Sequence, residues 1–265
     1  VQKQERSSNT VIVRTEDFNG YRVRQEVFPD IDAFRAKQWP ITADDFNDFG
    51  LSRESDVAKT GVEYLFDGEL RGRERLIAAA FNDPLSRNGI VVYGAYLAGP
   101  HAFEKPLIVD LKEQKVPAWI RLYCLYPLYA NHVVVPLTWG EYWVGSYEDK
   151  VPCKLSVYGN TTSPDPDAEG WEYLGSLNQA PERQAAAQRW SFLTTNLLLA
   201  PKDVNDLETR DPIYVDIQFP PVNQTYRYLK ILVHDTFDSS SENDINFNME
   251  ECFTLQELEV YVKKD

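Results

Sequence analysis

Among 265 residues there are only three cysteines, three histidines and one methionine. Cys124, Cys153 and Cys252 lie far apart with no CxxC pair, so neither a disulfide framework nor a zinc ribbon is indicated. Cys124 and Cys153 sit inside apolar runs and read as small buried hydrophobes. His101, His132 and His234 show no HxxxH or HExxH spacing, and there is no GxSxG elbow, no Walker loop and no GxGxxG opening a helix. No segment approaches the roughly 18 apolar residues of a membrane span, so the chain does not read as membrane-spanning. Positive charge is scarce as well: 27 Lys and Arg face 41 Asp and Glu, a net charge of −14. That balance makes nucleic acid and anionic phospholipid poor partners, because both would be repelled. A basic, apolar leader is also lacking, and the expectation is an extracellular or outer-surface-anchored protein whose export signal was removed before residue 1.

Aromatic residues are plentiful, with 15 Tyr, 13 Phe and 6 Trp, which favours strands and binding surfaces over helical bundles. From Leu107 onward PLIVDL, WIRLYCLY, CKLSVYG, WEYLGSL, IYVDIQF, YLKILVHDTF and LQELEVYV are short, β-rich and bounded by turn residues. In IYVDIQF the apolar set Ile213, Val215, Ile217 and Phe219 shares one face, which predicts a half-buried strand. Such a series predicts an all-β fold, a β-sandwich. Helices are expected to be few: one opened by Thr42 and Asp45, one by Pro181, and a turn or two over Leu76 to Phe81. Residues 1–58 differ in kind. Asn19-Gly20 predicts a hairpin placing Phe18 opposite Tyr21 and Asp17 opposite Arg22, and residues 30 to 58 read as a helical connector. The hairpin either docks on the sandwich or is the remnant of a preceding immunoglobulin- or fibronectin-like domain, with the main domain at 59–265.

LFDGE (Leu65 to Glu69), KPLIVDL, WIRLY, PCKLSVYGN, GWEYLGSL, RYLKILVHDTF and TLQELEVY follow one another in an order that resembles discoidin domains, also called coagulation factor five/eight type C domains. More narrowly the chain resembles the version in Bacteroidetes surface lipoproteins linked to polysaccharide use. The resemblance implies a galactose-binding-domain-like jelly roll whose loops at one end bind sugars or other ligands. No cofactor is required, but the resemblance implies a structural calcium site at Asp67, in the Asp-Gly turn, and Glu257, reaching back from the final strand. The chain departs from the pattern there: Arg71 and Arg73 follow the turn and would oppose a divalent cation. GWEYLGSL matches a scaffold strand whose Trp171 packs into the sandwich. Asp165, Asp167, Glu169 and Gly170 imitate the start of a calcium loop, but Ser176 stands where its bidentate acid belongs, so the stretch reads as a solvated acidic loop.

Sugar binding needs an exposed aromatic face and a few hydrogen-bonding groups. The insertion YPLYANHVVVPLTWGEYWVGSYEDK offers Trp139, Tyr142 and Trp143 as stacking residues and His132 and Asn131 as hydrogen-bonding ones, joined by Arg87. The bland alternative is that Val133 to Val135 form a strand and both Trp residues cover the sandwich end. Two further sets are the polar loop Phe237 to Asp244 and the trio Arg87, Asn88 and Tyr96. The reading is non-catalytic binding of a glycan or polysaccharide, with no catalytic residues nominated. A structural adhesion module docking another surface protein is the alternative, and a glycoside-active enzyme comes third.

Overall fold

The period-two pattern of IYVDIQF does what it predicts: Ile217 and Phe219 are buried in the core and Val215 packs against it. The computed structural model describes residues 5–7, 10–12, 23–25, 36–37, 61–73, 90–92, 94–98, 102–126, 133–134, 141–142, 144–146, 150–179, 189–191, 204–221, 223–237 and 251–263. Nine strands build two sheets: β1 (Val23–Gln25), β2 (Ala36–Lys37), β3 (Pro106–Lys115), β4 (Pro117–Tyr123), β5 (Pro152–Asn160), β6 (Glu172–Asn178), β7 (Tyr214–Gln218), β8 (Tyr226–Thr236) and β9 (Glu257–Lys263). One sheet runs β6-β5-β8-β3-β2 and the other β7-β4-β9-β1, antiparallel throughout. The chain crosses between them from β3 to β4 and again around β7 and β8, a jelly-roll course.

Alternate side chains of both sheets meet in one core. Val109, Leu111, Leu155, Val157, Leu229 and Ile231 come from the first sheet, and Ile120, Leu122, Leu258 and Val260 from the second. Fully burying each such side chain contributes roughly 1.5–3 kcal/mol. This is the all-β sandwich the sequence predicts. Cys124 and Cys153 are buried thiols, in no disulfide, within a satellite cluster with Val151 and Phe237. Phe237, the first residue of the polar loop considered as a binding rim, is therefore core, and residues 238–244 lie outside the described residues.

The sandwich closes where the edge strands β6 and β7 approach. Gly175 lies on that seam: a Cβ added there would stand 2.8 Å from the Gln218 carbonyl oxygen. Backbone cannot yield as a flexible side chain would, so Gly175→Ala is expected to cost about 1–3 kcal/mol. Urea unfolding would show it as a lower midpoint with an unchanged slope.

One N-terminal expectation changes. Ala36–Lys37, within the stretch read as a helical connector, is an edge strand paired with β3, Ala36 opposite Val109. The physical reason is that the open edge of β3 presents unpaired N–H and C=O groups that a passing segment can satisfy. The Asn19-Gly20 turn lies outside the described residues. Among the described residues near it, Thr10–Ile12 pairs with Glu5–Ser7 and Val23–Gln25 with β9. The predicted helices lie outside the described residues; among the described residues, helical turns stand at Val62–Phe66 and Val204–Leu207.

Candidate functional site

The outer face of the first sheet carries the exposed aromatic surface. Tyr158 on β5 and Tyr173 on β6 are partners in register, a cross-strand aromatic pair of the kind that stabilises sheets. Their rings meet edge to face at 5.8 Å. Tyr173 is 57% exposed and is the exposed large hydrophobic residue among those described; its hydroxyl donates to Ser176 Oγ at 2.9 Å, which fixes the ring. On the other side of Tyr158 its register partner Lys230 holds its ammonium 5.3 Å from the Tyr158 ring centre and 4.6 Å from that of Trp171. Burial pushes the Lys230 ammonium below its ordinary range, and Nζ donates to the Pro166 carbonyl at 3.0 Å. Ser156 and His234 continue the same face.

The acidic loop beside this face is folded, not merely solvated. Asn160, 1% exposed, accepts the N–H groups of Thr162 and Ser163 at 2.9 and 3.1 Å and donates to the Glu169 carbonyl at 3.0 Å. Asp165 Oδ1 accepts the Asp167 N–H at 3.0 Å, so that carboxylate serves the turn itself. Trp171 is a correction. It is half-buried rather than core, its indole N–H donates to the Asp165 carbonyl at 2.8 Å, and Lys230 covers one ring face. At the rim the polar indole N–H finds its acceptor and the ring face its cation, which a place between apolar side chains would not supply.

Glu257, on β9, meets the Asp67-Gly68 turn. It is 1% exposed; Oε1 accepts the Gly68 N–H at 3.1 Å, while Oε2 is buried without a hydrogen-bond partner. Burial, and after it the negative charge of Asp67, push the Glu257 carboxyl up to about 10. Gly68 sits at φ 83°, and Asp67 Oδ1 accepts the Glu69 N–H at 2.9 Å, closing the turn. The two arginines are turned elsewhere: Arg71 Nε donates to the Arg210 carbonyl and Arg73 pairs with Glu208 at 3.0 Å. An orphaned buried carboxylate oxygen beside a second carboxylate suits a hard cation. Among the described residues, however, no three His, Cys, Asp or Glu side chains converge as a metal cluster.

The remaining expected site residues are less visible. Arg87, Asn131, His132, Trp139 and Trp143 lie outside the described residues; Tyr142 is described in backbone only, on Glu141–Tyr142 paired with Val133–Val134. Tyr96 is buried at 2% and cannot meet a ligand, because it packs on Phe253 inside the core. The outer face of the second sheet holds a cluster that sequence reasoning missed. Arg121 grips Asp216 through two bonds of 2.6 and 2.9 Å and lies 3.7 Å over Tyr214. Glu259, 4% exposed, accepts the hydroxyls of Tyr123 and Tyr261 at 2.8 and 2.6 Å. These groups are covered and mutually paired, which marks them as structural. The outward positions of LSVYG, EYLGS and LKILVH carried the signal for the exposed face, since period two assigns Ser156, Tyr158, Tyr173, Lys230 and His234 to one side.

No protein-family model matches this sequence, and no curated protein matches it. Among solved structures the chain is similar to a SusE-like protein, at 14% identity over 92% of this chain and 68% of that one, with a TM-score of 0.45. It is also similar to the family 32 carbohydrate-binding module of NanJ from C. perfringens in complex with galactose, at 8% identity over 87% and 95% of the two chains and a TM-score of 0.38. A third likeness is to f-lectin, or fucolectin, from the serum of striped bass (Morone saxatilis), at 12% identity over 91% and 50%, with a TM-score of 0.40.

Proposed function

We propose that the chain binds carbohydrate and leaves glycosidic bonds intact, in the capture of polysaccharide at a cell surface. The observation that supports this most is Tyr173: a large aromatic ring, exposed, held in one orientation by Ser176 and Tyr158, with hydroxyl, amine and imidazole groups on the same face. Such a ring accepts the C–H side of a pyranose while neighbouring polar groups meet its hydroxyls. Stacking that covers on the order of 100 Å² of apolar surface contributes roughly 2.5 kcal/mol, and each good hydrogen bond about 1. After the cost of association a single site binds weakly, about millimolar to micromolar, and repeated contacts along a polymer tighten it.

The insertion provides a second proposed surface, with Trp139, Tyr142 and Trp143 stacking and His132, Asn131 and Arg87 hydrogen bonding. Asp67 and Glu257 would hold a calcium ion, whose charge would clamp the Asp-Gly turn to the final strand. A glycan array with wild type, Tyr173→Ala and Trp143→Ala tests the reading. A defined glycan signal is expected, and Tyr173→Ala is expected to weaken it about tenfold to a hundredfold. Loss in Trp143→Ala alone would move the site to the insertion. No signal for any glycan, with capture of a surface protein instead, would replace sugar binding by docking.

A further inference from the structure

Ser156, His234 and Glu104 stand in line on the outer face of the first sheet. Ser156 Oγ lies 2.8 Å from His234 Nε2, and His234 Nδ1 lies 2.5 Å from Glu104 Oε1. With the imidazole proton on Nδ1, the ring donates to the carboxylate and accepts from the serine hydroxyl, the order of roles that activates a serine nucleophile. Two further observations fit a built arrangement. Glu104 has φ 60°, the left-handed region that a non-glycine residue rarely takes. It is held there in the turn before β3 by its own N–H bonding to the Val233 carbonyl at 2.9 Å, which brings its carboxylate onto the ring of the next residue on β8. Ser176 is the register partner of Ser156 on β6. Its oxygen accepts the Tyr173 hydroxyl, and a hydroxyl that accepts one bond can donate its own O–H to a second acceptor.

The geometry points to a second capacity of this face, acyl transfer from small unhindered esters through Ser156. Ser156 Oγ attacks the ester carbonyl carbon and its proton passes to His234 Nε2. The carbon–oxygen bond to the alcohol breaks, and the alcohol leaves with that proton, giving an acyl-serine. Water then attacks the acyl carbon, again losing its proton to His234; the bond to Oγ breaks, the serine is reprotonated and a carboxylic acid departs. Ser156 and His234 are the catalytic residues. Glu104 is a positioning residue, and the Ser176 hydroxyl is the donor for the oxyanion. One side-chain donor replaces the usual pair of backbone amides, and each missing donor costs about 10²–10³ in rate, so turnover is slow. The open face, with His234 21% and Glu104 65% exposed, admits water and small acyl groups such as acetyl.

The proposal goes beyond glycan binding and does not need it: a glycan array reads the ligand, whereas a fluorophosphonate reads the serine. Intact chain is treated with a fluorophosphonate and, separately, with p-nitrophenyl acetate. Expected are one adduct per chain, located on Ser156 by peptide mass spectrometry, and a p-nitrophenolate burst that Ser156→Ala abolishes. Labelling slows by about a hundredfold or more in His234→Ala, with His234→Gln as a second variant where alanine perturbs folding. Glu104→Gln slows labelling and Glu104→Asp restores it in part, at unchanged urea midpoints, which a merely structural carboxylate would not do. No adduct on Ser156, or labelling at the same rate in both His234 variants, overturns the assignment.

Discussion

Glu257→Gln is expected to make the cation-free protein more stable at neutral and alkaline pH, against the usual result of altering a buried polar residue. Glu257 has an ordinary value of 4.5 and is pushed up to about 10 by burial and by Asp67. The folded state therefore holds a proton that the unfolded chain releases above the ordinary value. A raised folded value contributes stability that is fully present at low pH and is lost as pH climbs, so stability falls across the window from about 4.5 to about 10. The slope is about 1.4 kcal/mol per pH unit, on the order of 3 kcal/mol by pH 7. Glutamine is neutral at every pH and removes that slope. If calcium is held by Asp67 and Glu257 as proposed, the comparison reverses: the ion would favour the ionised carboxyl and stabilise wild type in proportion to its occupancy, while the variant would gain nothing. Thermal or urea unfolding across this window, in chelator and again in calcium, separates the cases. Parallel wild-type and variant curves in chelator would remove the premise that Glu257 is held neutral. An unmoved wild-type transition in calcium would remove the ion.

Asn160→Ala is expected to destabilise the fold by about 2–4 kcal/mol and to open the loop that follows it. The side chain is 1% exposed and meets three backbone groups, the N–H of Thr162, the N–H of Ser163 and the carbonyl of Glu169. Alanine removes all three bonds of part-buried backbone groups, worth about 0.5–1.5 kcal/mol each, with water offsetting part of the loss. Asn160→Asp keeps the acceptor and loses the bond to Glu169, so it should be the milder change. Because Trp171 is tied to the Asp165 carbonyl and Lys230 to that of Pro166, loosening the loop should also disorder the rim of the Tyr158–Tyr173 face. Limited proteolysis within residues 161–170, faster in Asn160→Ala, measures the opening, and urea midpoints measure the cost. Equal protease resistance in both proteins would show that the loop is held by something other than Asn160.

Much of the fold is legible in alternation alone. Ile217 and Phe219, Leu155 and Val157, and Leu229 and Ile231 are buried as their spacing requires, because a strand sends successive side chains to opposite faces and water sorts the apolar set inward. Edge pairings are less legible: Ala36–Lys37 joins β3 through backbone groups common to every residue type, leaving no compositional mark.

The amino-acid order by itself determined an antiparallel sandwich, its inward residues and the buried thiols, since these follow from periodicity and polarity. Tertiary structure alone decided that Trp171 lies on a rim rather than in the core, that Asn160 organises the acidic loop, and that Ser156, His234 and Glu104 meet. Those meetings join residues 78 and 130 positions apart. Strand register and the left-handed turn at Glu104 set them, and no local pattern encodes either.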